Sequence, residues 1–184
     1  MNVRECAQPR TVRRRPLVRE QVRITLPGAL REEVDAIRTR WNPELVPRNP
    51  AHATVIYHDE AQEPALLRER LAAAASALGT FELVLEGARR FRAPAQGAYL
   101  ALSDPSGAVE RLRRAVLGPP FTPRARLVLH VTLLHPRFGG RLETAWPDLE
   151  PLRFGRPFRV QGLDLMSGSR EGLTYASYPL AARA

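Results

Sequence analysis

Residues 126–134 read RLVLHVTLL, an apolar run interrupted only by His130 and Thr132 after its leading arginine. A short run of this kind reads as a strand, in which residues two apart share a face. His130 and Thr132 therefore point together to one side, while Val131 and Leu133 point to the core. The same pattern occurs once more, in His52-Ala53-Thr54-Val55, where His52 heads the strand-like segment ATVIY. His52 and Thr54 share a face there, and Ala53 and Val55 turn inward. The chain has four histidines, His52, His58, His130 and His135. That two of them should head His-x-Thr by chance is about a one-in-a-hundred event at ordinary threonine frequency.

The two motifs are 130 − 52 = 78 residues apart, and the same shift lays Val34 on Leu112 and Ile37 on Ala115. Around each motif the order is strand, helix, strand with His-x-Thr, over residues 22–57 and again over 98–134. The Phe81–Gly87 strand is echoed by Phe158–Gly162. Repetition at a fixed offset points to duplicated units. It predicts an α+β fold of two pseudo-symmetric lobes, each of antiparallel sheet plus helices, related by an approximate two-fold axis around a central cleft.

The remaining elements follow from local pattern. Residues 21–27, QVRITLP, alternate polar and apolar as a strand does. In GALREEVDAIRTRW, Leu30, Val34, Ile37 and Trp41 fall at helical spacing, Glu32, Glu33 and Asp35 lie near the positive end, and Pro43 bars continuation. Residues 63–78 form the clearest helix, with Pro64 in its first turn, the stripe Leu67, Leu71, Ala74 and Leu78, and Gly79 as cap. Strands are expected at 81–87, 97–103, 126–134, 158–166 and 173–180. A third helix is expected with Asp104 as N-cap and Pro105 first, Val109, Leu112 and Val116 inward, and its end at Gly118.

With 184 residues the chain can bury one full core. Residues 1–20, carrying Arg13, Arg14 and Arg15, are expected to be a basic flexible leader, and 21–184 a single bilobal domain. The net charge is +9 and comes from arginine alone, since the sequence has no lysine. Arginine's planar fork of donors matches phosphate oxygens, so an anionic partner such as RNA or a nucleotide is favoured. Biased codon usage would give the same composition. The single cysteine, Cys6, excludes a disulfide framework and fits a reducing cytoplasm, and no stretch is apolar enough to span a membrane. A monomer is expected.

Two imidazoles and two hydroxyls facing one cleft suit a phosphodiester. One neutral imidazole takes a proton from water or a ribose hydroxyl, and the other, protonated, gives one to the departing oxygen. The threonine hydroxyls donate to non-bridging oxygens as their charge grows. The alternatives are strand histidines that serve only as hydrogen-bonding residues, a basic RNA-binding module without chemistry, and a zinc site built from all four histidines. The zinc reading is disfavoured because the offsets of six and five residues put the members of at least one pair on opposite strand faces, with no carboxylate or cysteine close by. Tyr57 and Tyr99 are candidates to stack on a base, and the Arg89–Arg92 cluster reads as solvated surface.

The paired motifs resemble those of the 2H phosphoesterase superfamily, in particular the LigT-like group of 2'-5' RNA ligases and RNA 2',3'-cyclic phosphodiesterases. The likeness runs over roughly residues 20–180. It implies a bilobal α+β fold with the motifs facing across a groove, and His52, Thr54, His130 and Thr132 as catalytic and phosphate-binding residues. It also implies a substrate that is RNA or a nucleotide with a 2',3'-cyclic phosphate or a 2'-5' linkage; no metal or cofactor is expected, since the two histidines divide acid and base duty between them. A cyclic phosphate of a small nucleotide such as ADP-ribose is the other substrate expected. LigT-like members often carry an arginine shortly after the second motif. Here His135 stands in that place and Arg137 follows two residues later, either able to supply the cation, and these two together with Tyr57 as a stacking residue are the expected substrate-binding residues.

Overall fold

The computed structural model describes residues 19–44, 46–135, 141–169 and 172–182. The leader expected over 1–20 lies outside them up to residue 18, as does Arg137. The alternating segment at the N-terminal end becomes β1 (Arg19–Thr25), followed by α1 (Gly28–Trp41), β2 (His52–Ile56), α2 (Pro64–Leu78) and β3 (Phe81–Arg90). The second round is β4 (Ala98–Ser103), α3 (Ala108–Val116), β5 (His130–Leu134) and α4 (Leu142–Leu149), closed by β6 (Arg156–Val160), β7 (Gly162–Ser169) and β8 (Gly172–Pro179).

All eight strands join one sheet in the order β6-β3-β4-β5-β2-β1-β7-β8, and every neighbouring pair is antiparallel. The order is symmetric about the β5–β2 pair, so β2, β1, β7 and β8 on one side match β5, β4, β3 and β6 on the other. The predicted halves are therefore present, with their third strands exchanged: β3 follows β2 in the chain but pairs with β4, and β7 pairs with β1.

That exchange corrects one expected correspondence. Phe158 lies in β6, opposite Leu83 of β3, as an edge strand beside it. The strand equivalent to β3 by position in the sheet is β7. The registration of Val34 on Leu112 holds, since both are buried in the core. That of Ile37 on Ala115 does not, because Ile37 packs partly against the core and Ala115 is exposed.

Three boundaries also differ, each for a local reason. α3 begins at Ala108, not Pro105, because Gly107 turns the chain left-handed at φ 65°. Asp104 still serves the helix end from across that turn, accepting the Val109 N–H at 2.8 Å. β5 starts at His130 instead of residue 126, since its partner β4 ends at Ser103 and the backbone bond from Leu102 N–H to the Leu129 carbonyl is the last. The expected strand at 158–166 is two strands broken at Gln161, whose carbonyl accepts the Leu180 N–H at 2.9 Å. α4, with Pro147 inside it, is an element that the sequence pattern does not announce.

Helices of each round cross to the strand of the other. α1 packs against β5 and α3 against β2. Asn42, at the end of α1, donates its side-chain N–H to the Leu133 carbonyl, and Arg113 of α3 donates to the Val55 carbonyl at 2.6 Å. Leu133 and Val55 each stand three residues after a motif histidine, so the two central strands are tied down at equivalent points. Asp35 of α1 adds a clamp on the start of β2, accepting the Ala51 N–H at 3.2 Å.

Candidate active site

β2 and β5 bring the two motifs side by side at the middle of the sheet. Ala53 is the register partner of Val131, and continuing that antiparallel register sets His52 against Thr132 and Thr54 against His130. Both strands carry the same burial sequence: histidine and threonine partly exposed, the residues after each of them buried. All four polar side chains line one cleft of about 470 Å³.

Both rings are held alike. His52 Nδ1 lies 2.7 Å from the Pro50 carbonyl oxygen, and His130 Nδ1 lies 2.7 Å from that of Val128. A carbonyl only accepts, so Nδ1 carries the hydrogen in each ring and Nε2 is left for a ligand. A neutral ring then offers a lone pair at Nε2, and a protonated ring offers a donor. Burial lowers the pKa of both. For His52 the Arg23, Arg38 and His130 charges add to burial, against the Pro50 carbonyl, and bring it to about 3. For His130 burial acts against the Val128 carbonyl.

The walls combine cations with aromatic rings. Arg23, Arg38, Arg124 and Arg126 line the cleft, with no carboxylate among the described lining residues. Behind His130 stand Phe91 and Tyr99, their rings 4.7 Å apart and each 5.2 Å from the imidazole at an edge-on angle. Tyr99 is thus a packing wall and not a free stacking platform. Tyr57 lines the cleft beneath the Arg124 guanidinium, 3.8 Å from its ring centre.

Glu60 fixes that last pair. Its carboxylate accepts the backbone N–H of Tyr57 at 2.9 Å and of Arg124 at 2.7 Å, and takes Arg113 from α3 at 2.6 and 3.1 Å. Burial would raise its pKa, but the Arg113 bond and the two N–H groups outweigh this and hold it below the usual value. A buried carboxylate so used joins the loop after β2 to the segment before β5, and so sets the spacing of the cleft's rim.

Of the other expected residues, His135 lines the cleft, and Arg137 is outside the described residues. His58 is exposed in the turn after β2, away from the lining. The four-histidine zinc set is therefore not assembled, and no cluster of three or more His, Cys, Asp or Glu side chains suited to a metal occurs among the described residues. Arg89, Arg90 and Arg92 are exposed outside the cleft, and Arg90 pairs with Glu143 over the Trp146 ring. Arg23, Arg38, Phe91, Arg124 and Arg126 also line the cleft, though no sequence motif marks them. A signal exists for Arg23: in QVRITLP it shares the polar face of β1, whose neighbour is the motif strand. No helix among the described residues is long and apolar enough to cross a membrane.

A model of the 2'-5' RNA ligase superfamily matches residues 26–170, a span that includes both motifs. The chain is similar to TT0787 of Thermus thermophilus, at 17% identity and a TM-score of 0.62, covering 90% of this chain and 100% of that one. It is also similar to E. coli LigT crystallised with 3'-AMP, at 18% identity and a TM-score of 0.58, covering 91% and 99%. Among curated protein sequences none matches it. At such identities the two structures speak for the fold alone. The family model covers most of the chain and includes both motifs: the chain belongs to the 2'-5' RNA ligase superfamily, within the 2H phosphoesterases.

Proposed function

We propose that the chain is a phosphodiesterase acting on 2',3'-cyclic phosphates at RNA ends or nucleotides, or on 2'-5' linkages, with His52 and His130 as its proton-transfer pair. The observation that carries this reading is the matched anchoring of the two rings, each Nδ1 held 2.7 Å from a backbone carbonyl with Nε2 left for a ligand in a shared cleft. In hydrolysis, water attacks phosphorus and loses its proton to Nε2 of one imidazole. The bond from phosphorus to one ribose oxygen breaks, and Nε2–H of the other imidazole protonates that oxygen to leave a phosphomonoester. Thr54 and Thr132 donate to the non-bridging oxygens. Joining a 2' hydroxyl to the phosphate runs the same proton transfers through the same groups. The arginine-lined, carboxylate-free cleft favours an anionic substrate. E. coli LigT, which was crystallised with 3'-AMP, offers a precedent for a nucleotide with phosphate on its ribose.

The test is turnover of an RNA oligonucleotide ending in a 2',3'-cyclic phosphate by purified, EDTA-treated protein. Conversion to a phosphomonoester is expected. Absence of turnover, or turnover that appears only on adding zinc or manganese, would overturn the proposal.

A further inference from the structure

The histidines and threonines repeat faithfully in the two halves, but the residues beside them do not. In the β1–β2 ladder the partner of Thr54 is Arg23, and in the β4–β5 ladder the partner of Thr132 is Tyr99. A cation stands on one side of the site where an aromatic ring stands on the other.

Arg23 is unusual among the buried arginines. Arg38, Arg113 and Arg23 are all buried. Arg38 pairs with Asp35 at 2.5 Å and Arg113 with Glu60 at 2.6 Å. Arg23 is 5% exposed and has no carboxylate within ion-pair distance among the described residues. Its partners are neutral: the Asn49 side-chain oxygen at 2.6 Å, the Gln21 amide oxygen and the Tyr175 side chain. Asp164 faces it across the β1–β7 pair, but its two oxygens accept the hydroxyls of Thr25 and Ser177, each at 2.7 Å. Neutral oxygens orient a guanidinium without cancelling its charge, and Asp164, beyond ion-pair distance, offsets only part of the cost of burying it. A buried cation held in this way, on a wall of an open cleft, calls for an anion from outside.

We infer that Arg23 holds a non-bridging phosphate oxygen beside Thr54, and so gives the pseudo-symmetric site a direction: His52 takes the proton and His130 delivers it. This rests on the phosphodiesterase reading above. A fixed cation next to His52 opposes a second positive charge there, so His52 is the neutral partner and accepts from the nucleophile. His130, backed by Phe91 and Tyr99, has no such neighbour and carries the proton to the leaving ribose oxygen. Titration agrees in direction: after burial, Arg23 is the foremost of the charges that lower His52, with Arg38 and His130 behind it, whereas His130 is lowered by burial alone. The other groups facing this corner are Asp164 of β7 and Tyr175 of β8.

The test measures inorganic phosphate binding by calorimetry, which needs no turnover, together with the pH profile of kcat/KM on a cyclic phosphate. Arg23→Gln is expected to weaken phosphate binding about ten- to a hundredfold, and to move the acid-side limb of the profile toward the ordinary histidine range. Arg90→Ala, which removes a cation outside the cleft, should change neither. Arg23→Lys keeps the charge but loses the fork and should fall between. Phosphate affinity within twofold of wild type in Arg23→Gln, with an unchanged melting profile, would overturn the inference. If that variant does not fold, wild-type affinity in Arg23→Lys would do the same. Arg23-dependent phosphate binding in a protein that turns over no cyclic phosphate would leave the anion site standing and defeat the phosphodiesterase reading instead.

Discussion

Replacing Arg113 by methionine tests how the cleft's rim is held. The Glu60 side chain is 1% exposed, and without Arg113 its carboxylate keeps only the N–H groups of Tyr57 and Arg124. Removing one partner of a buried ion pair costs about 3–5 kcal/mol, and the Val55 carbonyl loses its 2.6 Å donor as well. For a chain of this length each kcal/mol lowers the melting temperature by about 2–4 °C, so a fall of about 6–20 °C is expected at pH 7. Scanning calorimetry measures it. The deficit should shrink as the solution is acidified. In the wild type Glu60's folded pKa is depressed, so its contribution is full above the unfolded value of 4.5 and is lost as pH falls through the folded value. In the variant the Arg113 bond no longer opposes burial, the folded pKa rises, and protonation relieves the buried charge. The double change Glu60→Met with Arg113→Met should regain most of the loss, because no charge is left unpaired. A single variant melting within about 2 °C of wild type, or a double variant less stable than the single, would refute the argument.

Alanine at His52 or at His130 should each lower turnover by about a hundred- to ten-thousandfold, and the double variant by much less than the product, since each proton transfer is useful only with its partner; single-turnover assays on folded variants check this, with His58→Ala as the unaffected control. Thr54→Val and Thr132→Val should fall between wild type and the histidine variants, each losing one hydrogen bond to developing charge, as measured by kcat. The pH profile of kcat/KM should be shifted to acid: activity rises as His52 loses its proton at about 3 and falls as His130 loses its own below 6.5. Both histidines bind fewer protons folded than unfolded, so each also removes stability as pH drops below 6.5. A profile flat to pH 8 would contradict the assignment.

The motif strands were legible because a period of two needs only neighbouring residues: His52, Thr54, His130 and Thr132 announce a shared face wherever their strands lie. The exchange of β3 and β7 was not, since Phe81–Arg90 carries the same alternation whichever half it joins, and its choice of β4 rests on contacts formed by a later part of the chain. α4 is short and contains Pro147, which removes a backbone donor and obscures the helical period. Gly107 alone moved the start of α3, a left-handed turn that leaves no periodic trace. Arg23 reads in the sequence as one more polar residue of an alternating strand. Whether such a face meets water or a cleft is decided by β2 beside it, a strand formed by a later stretch of the chain.

The placement of the motifs explains why so much of the molecule is tied to the central strand pair. Proton transfer through two imidazoles needs both Nε2 atoms held to a fraction of an ångström across one phosphate. β2 and β5 pair only around Ala53 and Val131, too short a ladder to hold that spacing alone. The tie from Asn42 to Leu133 and that from Arg113 to Val55 make up the difference, each reaching from the helix that precedes the other motif. Each helix is bonded to its own round through the chain and to the opposite strand through a side chain, so a shift of either strand strains both crossings. The duplicated frame thus keeps the four motif residues in register, while a difference off the axis, Arg23 against Tyr99, sets charge and shape beside them. On the proposed mechanism, symmetry serves the spacing of the histidine pair, and asymmetry serves the direction of proton transfer.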